Sequence, residues 1–135
     1  MPTGYSNTPQ ARKLGIKPGQ IICLDNSPPG WRFTNPPADI SFVGARGSAD
    51  LIVSFFTSAS KLSTRLPILV KRIYPEGALW IAWPRRAGGH SSDITDNIVR
   101  DLALPLGVVD VKIAAIDDDW SGLRLVWRVS NRGRS

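Results

Sequence analysis

Three short runs in this chain are apolar at nearly every position: Ile21 to Leu24, then "DLIVSFFTS" from Asp50 to Ser58, then "GALWIAWP" from Gly77 to Pro84. A strand with one wet face alternates polar and apolar residues. A run without alternation needs cover on both faces, which is the environment of a parallel sheet. Between the second and third runs, Leu62, Leu66, Leu69, Val70 and Ile73 recur at the spacing of an amphipathic helix. Pro67 lacks an amide hydrogen, so it is expected to kink that helix or to begin its main part. "YPEG" stops it. After the third run, "RRAGGHSS" leads to an N-cap expected at Ser92 or Asp93, with Asp96 near the positive helix end. Ile94, Ile98, Val99 and Leu102 then supply an apolar face. Strands alternating with helices call for right-handed crossovers onto a largely parallel sheet.

The two ends follow other rules. Val109, Val111, Ile113 and Ala115 alternate with Asp110, Lys112 and Ala114, and Leu123, Leu125, Trp127 and Val129 alternate with Arg124, Val126 and Arg128. Joined by "DDDWSG", these segments read as an antiparallel hairpin with one polar face. At the front, residues 1–18 form a polar arm with a short helix around Pro9 to Leu14. Pro28, Pro29, Pro36 and Pro37 forbid regular structure across most of Ser27 to Ala38, and a brief strand is expected over Asp39 to Val43. The expected organisation is one α/β domain over 1–135, with arm 1–18, core 19–130 and basic tail 131–135. A chain of 135 residues can bury roughly 70% of its unfolded surface.

The longest apolar runs fall short of the ~20 residues that a membrane span needs, and the N-terminus lacks a signal-like apolar segment. The expected location is cytoplasmic, with no membrane partner. Cys23, the single cysteine, permits no internal disulfide and reads as a small buried hydrophobe. No set of residues has metal-ligand spacing. The net charge of +6 gathers near the ends, at Arg12, Lys13 and Lys17 and at Arg124, Arg128, Arg132 and Arg134. Such an excess favours anionic partners. Lys112, Arg124 and Arg128 form a basic strip that can contact nucleic acid, without the interleaved aromatics of a single-strand binder.

The segment order, with its terminal antiparallel pair, resembles the C-terminal half of a class I S-adenosylmethionine-dependent methyltransferase. "DLIVSFF", "IYPEGALWIAWP" and the hairpin carry the match, and "GIKPGQIICLDNSPPG" is similar to that family's first strand and cofactor loop. The resemblance implies a three-layer, Rossmann-like domain with a mostly parallel sheet, shortened because only Trp31 to Ala49 lie where two helices and two strands are usual. It departs at the loop. Glycines there let backbone approach a ligand, whereas Asn26-Ser27-Pro28-Pro29 removes two amide donors and leaves only Gly30. The loop therefore disfavours S-adenosylmethionine in its usual pose and leaves a different pose open. At family level, "GYSNTPQARKLGIKPG", "GALWIAWPRRAGG" and "SSDITDNIVRDLALPLGVVDVKIAAIDDDWSGLRL" resemble the bacterial family called domain of unknown function 3052. That resemblance implies no activity. Its members typically carry lysines at the positions of Arg85 and Arg86, so a basic pair there is a shared feature.

In open α/β sheets, ligands sit beyond the carboxyl ends of the strands. The candidates there are Asp25, Asn26, Ser27 and Gly30 after the first run, Thr57 and Ser58 after the second, and Trp83, Arg85, Arg86 and His90 after the third. Asp25 can accept from a ligand hydroxyl or form a local turn. Thr57 or Ser58 can donate to a ligand or cap the next helix. Trp83 offers a stacking face, and the two arginines offer forked donors to phosphate or carboxylate. No catalytic residues and no resident cofactor are assigned. Three readings compete: a non-catalytic methyltransferase-like module binding a small anionic ligand or a protein, which is preferred; a methyltransferase with an altered cofactor loop; and a nucleic-acid-associated basic protein.

Overall fold

The computed structural model describes residues 9–44, 46–85 and 92–133. Nine helices and strands of regular structure follow along these residues: α1 (Gln10–Leu14), β1 (Ile21–Asp25), β2 (Ser41–Phe42), β3 (Leu51–Phe55), α2 (Ala59–Arg72), β4 (Ala78–Pro84), α3 (Asp96–Ala103), β5 (Val108–Ala115) and β6 (Trp120–Trp127). They build one six-stranded sheet in the order β2-β1-β3-β4-β6-β5. β1, β2, β3 and β4 run parallel, and β6 enters antiparallel to both β4 and β5. The α/β class, the parallel core and the closing hairpin agree with the sequence pattern.

All residues of β3 and β4 are buried, as their unbroken apolar runs require. Alternate side chains feed two cores. On one face Cys23, Ile52, Leu79 and Ile81 meet Leu62, Leu66, Leu69 and Val70 of α2 and Val99 of α3. On the other face Ile22, Leu51, Val53, Phe55, Trp80 and Ala82 meet Leu14, Ile16 and Phe33, with Trp31 and Trp120 packed against them. No long helix covers this second face among the described residues. An aromatic cluster does so instead: Trp31 packs edge-on to Phe55 at 5.0 Å and to Phe33 at 5.1 Å, and Phe55 packs edge-on to Trp120 at 5.0 Å.

One local expectation is narrowed and three need correction. Pro67 lies inside α2, which starts at Ala59 behind the N-cap of Ser58, so it does not begin the main part of the helix. The N-cap of α3 is Thr95, whose hydroxyl accepts from Ile98 N; Ser92 instead accepts from Ile94 N, and Asp93 accepts from Ala59 N. Asp39 starts no strand, because it occupies the left-handed region at φ 64° in a turn ahead of the two-residue β2. In β5, Val111 and Ile113 are half exposed. A register shift between Asp110 and Lys112 puts the alternation out of phase on an edge strand, and Val108 takes the buried place.

Gly122 marks the closest approach in the hairpin. A Cβ there would sit 2.6 Å from Ile116 Cδ1 and 2.8 Å from Trp80 Cε3. Ile116 can shift, but the Trp80 ring is fully buried and its indole N–H donates to Leu14 O. Gly122→Ala is expected to lower stability by about 1–3 kcal/mol through overpacking, read as a lower urea midpoint at unchanged slope.

Candidate functional site

The chain leaves β1, forms β2 on one side of it, and returns to place β3 on the other side. Strand order thus reverses between β1 and β3, the position where open α/β sheets hold their ligands. Asp25 pairs in register with Ser54, so the ends of the two strands lie side by side. Immediately beyond them is a cavity of about 470 Å³ lined by Asp25, Asn26, Phe56, Ser60, Lys61, Thr64 and Arg65.

Asp25 is the anchor of this site. It is buried, and its two carboxylate oxygens receive three donors: Arg65 Nη2 on Oδ1 at 2.7 Å, with Arg65 Nε at 3.3 Å and Ser54 Oγ at 2.6 Å on Oδ2. Burial works to raise its pKa; the hydrogen bonds from Arg65 and Ser54, with the positive charges of Arg65 and Arg72, outweigh that and hold it below the ordinary carboxylate value. The same bond holds the Arg65 guanidinium above its ordinary value. Acid and base are therefore locked in their charged forms near neutrality. Asn26 sits at φ 57° and turns its side-chain N–H onto Phe55 O, tying the two strand ends together.

The helix side of the cavity was missed by sequence reasoning. Ser60 and Thr64, and likewise Lys61 and Arg65, are four residues apart on α2 and so present one polar stripe. The signal was the polar half of the helix whose apolar half is Leu62, Leu66 and Leu69. Arg65 uses Nε and Nη2 on Asp25, which leaves Nη1 with no partner among the described residues. Lys61 has an exposed side chain. Thr64 Oγ1 already donates to Ser60 O, so Lys61, the remaining donors of Arg65 and the Ser60 hydroxyl stand over the paired carboxylate, an excess that suits an anion.

The other candidates are placed differently. Ser58 caps α2, its hydroxyl accepting from Lys61 N, and Thr57 is exposed beside it. Gly30 is exposed at φ 76° with nothing within 4 Å of a would-be Cβ, and Ser27 is half-buried; neither lines the cavity. Trp83 is only 8% exposed and belongs to the α2-face core, so its ring is packed rather than offered for stacking. The Arg85 guanidinium points to the hairpin tip, donating from Nη1 to Asp117 O at 3.3 Å, while its amide donates to Asp119 O. Arg86 and His90 lie outside the described residues. A second concavity, about 440 Å³, opens beside β1 and β2 and is walled by Leu24, Trp31, Phe33, Pro36 and Phe42 with Arg32 at its rim.

No family model matches the chain, and no curated protein matches it by sequence. Solved structures do share its fold. Magnesium protoporphyrin IX methyltransferase (ChlM) from Synechocystis PCC 6803 with bound SAM superposes with a TM-score of 0.58 at 10% identity, covering 82% of this chain and 71% of that one. The LepI complex with SAM gives 0.54 at 13% identity, covering 87% and 39%. A protein of the NADB-Rossmann superfamily from Streptococcus agalactiae gives 0.53 at 10% identity, covering 91% and 69%. The chain spans about half the length of another ChlM structure, 52%, and a smaller share of LepI. The architecture is thus the Rossmann-like fold of S-adenosylmethionine-dependent methyltransferases, in a short form.

The Asp25–Arg65 pair has a pH signature. A carboxylate whose pKa is lowered on folding stabilises the native state above its unfolded value, ~3.9, and that contribution is lost as pH falls through the lower folded value. Asp25→Asn is expected to cost about 1–3 kcal/mol at pH 7, since a charged partner is left behind. Its stability should also fall less steeply than wild type below pH ~4, as read by urea melts from pH 2 to 7.

Proposed function

We propose that this chain is a non-catalytic, methyltransferase-like α/β module whose switch-point cavity binds a small anionic ligand through Lys61 and Arg65. The supporting observation is the cavity between the ends of β1 and β3, where Arg65 is held by Asp25 yet keeps Nη1 unengaged. A guanidinium fixed in this way presents forked donors with little further ordering on binding. Ser60 adds a hydroxyl, and Phe56 gives an apolar wall. The non-catalytic reading rests on the same chemistry: Asp25 and Arg65 keep their charges across the neutral range, so neither trades a proton there. A carboxylate or phosphate group is the part recognised. A bacterial module working in the cytoplasm is what the resemblance to domain of unknown function 3052 implies, although no family model matches the chain.

A second reading is favoured by one observation, the shared fold with SAM-bound ChlM and LepI. On it, S-adenosylmethionine occupies the same end of the sheet in an altered pose. Asp25 then has to release Arg65 before it can accept a ribose hydroxyl.

Calorimetric titration with citrate, adenosine monophosphate and S-adenosylmethionine separates the two. On the leading reading an anion binds, and Lys61→Ala weakens it about tenfold, the value of one charge-assisted hydrogen bond. Anion binding unchanged by Lys61→Ala together with Arg65→Lys would put the ligand elsewhere. Micromolar binding of S-adenosylmethionine, lost in Asp25→Ala, would replace the leading reading with the second.

A further inference from the structure

Away from the switch point, the α1 face of the hairpin gathers cations without acids. Lys112 and Arg124 are register partners across β5 and β6, so their side chains leave the same face a few ångströms apart. Lys112 Nζ donates to Lys13 O at 2.9 Å, and Lys13 Nζ donates to Ala115 O at 3.0 Å. Arg124 reaches beneath the end of α1, its Nη2 lying 3.4 Å from the position a Cβ of Gly15 would take. Arg124 and Lys112 thus lie beside the end of α1, and Lys13 ties that helix to β5. Among the described residues none of them pairs with a carboxylate; Asp110, on the same strand as Lys112, is paired with Arg100.

Arg124 is the unusual member. Its Nε is buried and has no hydrogen-bond partner among the described residues. Burial, with no neighbouring charge to offset it, pulls its guanidinium below the ordinary value. A partly buried guanidinium is normally paired, because an unpaired one gives up hydration for nothing. Its two lysine neighbours each spend one ammonium proton on a carbonyl and keep two. The local charge of three cations and the surplus of donors fit a multiply charged oxyanion better than a single carboxylate.

We propose that Arg124, Lys13 and Lys112 form a binding site for a phosphate-type oxyanion where the end of α1 meets the β5–β6 hairpin. The ligand's oxygens take the forked donors of Arg124 and the free ammonium protons of the two lysines. The anion supplies the counter-charge that the fold omits, and it fastens the N-terminal arm to the sheet. The site is separate from the cavity at Asp25 and Arg65 and stands or falls independently of it.

The test is thermal unfolding in 10 mM phosphate (roughly ten times a millimolar dissociation constant) against chloride of equal ionic strength. Wild type should melt about 3 °C higher in phosphate. Phosphate also stabilises proteins generally by exclusion from their surfaces, so the difference between wild type and Arg124→Met is the readout. Arg124→Met should lose most of the phosphate rise, and in chloride it should melt no lower than wild type, since an unpaired buried charge has been replaced by an apolar chain of similar length. An equal phosphate rise in wild type and Arg124→Met, or no rise in wild type, would overturn the proposal. Should Arg124→Met fail to fold, Lys112→Gln takes its place: a reduced rise supports the site and an undiminished one rejects it. Lys71→Ala, exposed on α2 and outside both sites, serves as control and should keep the full rise. A labelled DNA duplex of about 20 base pairs distinguishes the source of the phosphate. Duplex affinity that falls with salt and with Arg124→Met points to a nucleic-acid backbone. A phosphate rise without duplex binding points to a free phosphate or a small phosphorylated compound.

Discussion

Parallel strands bury both faces, and in this molecule that demand has to be met by a short chain. β1, β3 and β4 carry apolar side chains on both sides. α2 and α3 cover one side in the ordinary way, with leucines at three- and four-residue spacing. Among the described residues, the other side receives the five-residue α1, the segment around Trp31 to Phe33, and Ile116 and Trp120 of the hairpin. Large rings make up for the missing helix. Trp31, Phe33, Phe55, Trp80 and Trp120 can each bury on the order of 150–250 Å², so a few of them close a face that would otherwise need a helix several turns long. Arg72 does related work on the α2 side. It donates from Nε to Gly47 O and from Nη2 to Gly44 O, both at 2.7 Å, and so pins the loop between β2 and β3 against the end of α2.

The switch-point cavity inherits its character from this economy. Asp25 ends the strand where α/β proteins often keep a free carboxylate, but here α2 delivers Arg65 to it and β3 delivers Ser54. The carboxylate is spent on orienting a cation. What remains open toward the cavity is donor-rich. The hairpin face shows the opposite balance. There Arg124 is half-buried, and among the described residues no acid pairs with it.

Much of the fold was legible because it rests on period and burial. The unbroken apolar runs became β1, β3 and β4, and Leu62, Leu66, Leu69, Val70 and Ile73 all turned inward. Placement of side chains near the strand ends was less legible, since it depends on which of several local options tertiary packing selects. Trp83 has the composition of a stacking platform, yet its position inside the paired stretch of β4 commits it to the core. Ser92 and Asp93 look like caps for the helix that follows them, yet Asp93 caps α2 across space by accepting from Ala59 N at 2.7 Å. Arg65 gave no signal of its own. A charged residue on the polar half of a helix is ordinary until the strand it faces is known to end in an aspartate. The bulge in β5 was equally silent, because one extra residue leaves alternation on each side of it intact.

The loop "NSPPG" after β1 shows the same economy. Judged as a cofactor loop it is defective, because two prolines remove donors and stiffen the backbone. Judged as a structural element it is well made. Asn26 takes the left-handed conformation that turns the chain off β1 and fastens it to Phe55 O. Pro28 O then accepts from Trp31 N in a tight turn that ends at Gly30, itself at positive φ. The turn drives Trp31 onto the uncovered face of the sheet, where its indole N–H donates to Asp117 of the hairpin at 2.9 Å. Residues that hold a nucleotide in a longer relative of this fold would here leave the second core open. Stiffness at this point therefore serves the protein's own interior: the turn that leaves β1 sets Trp31 into the second core.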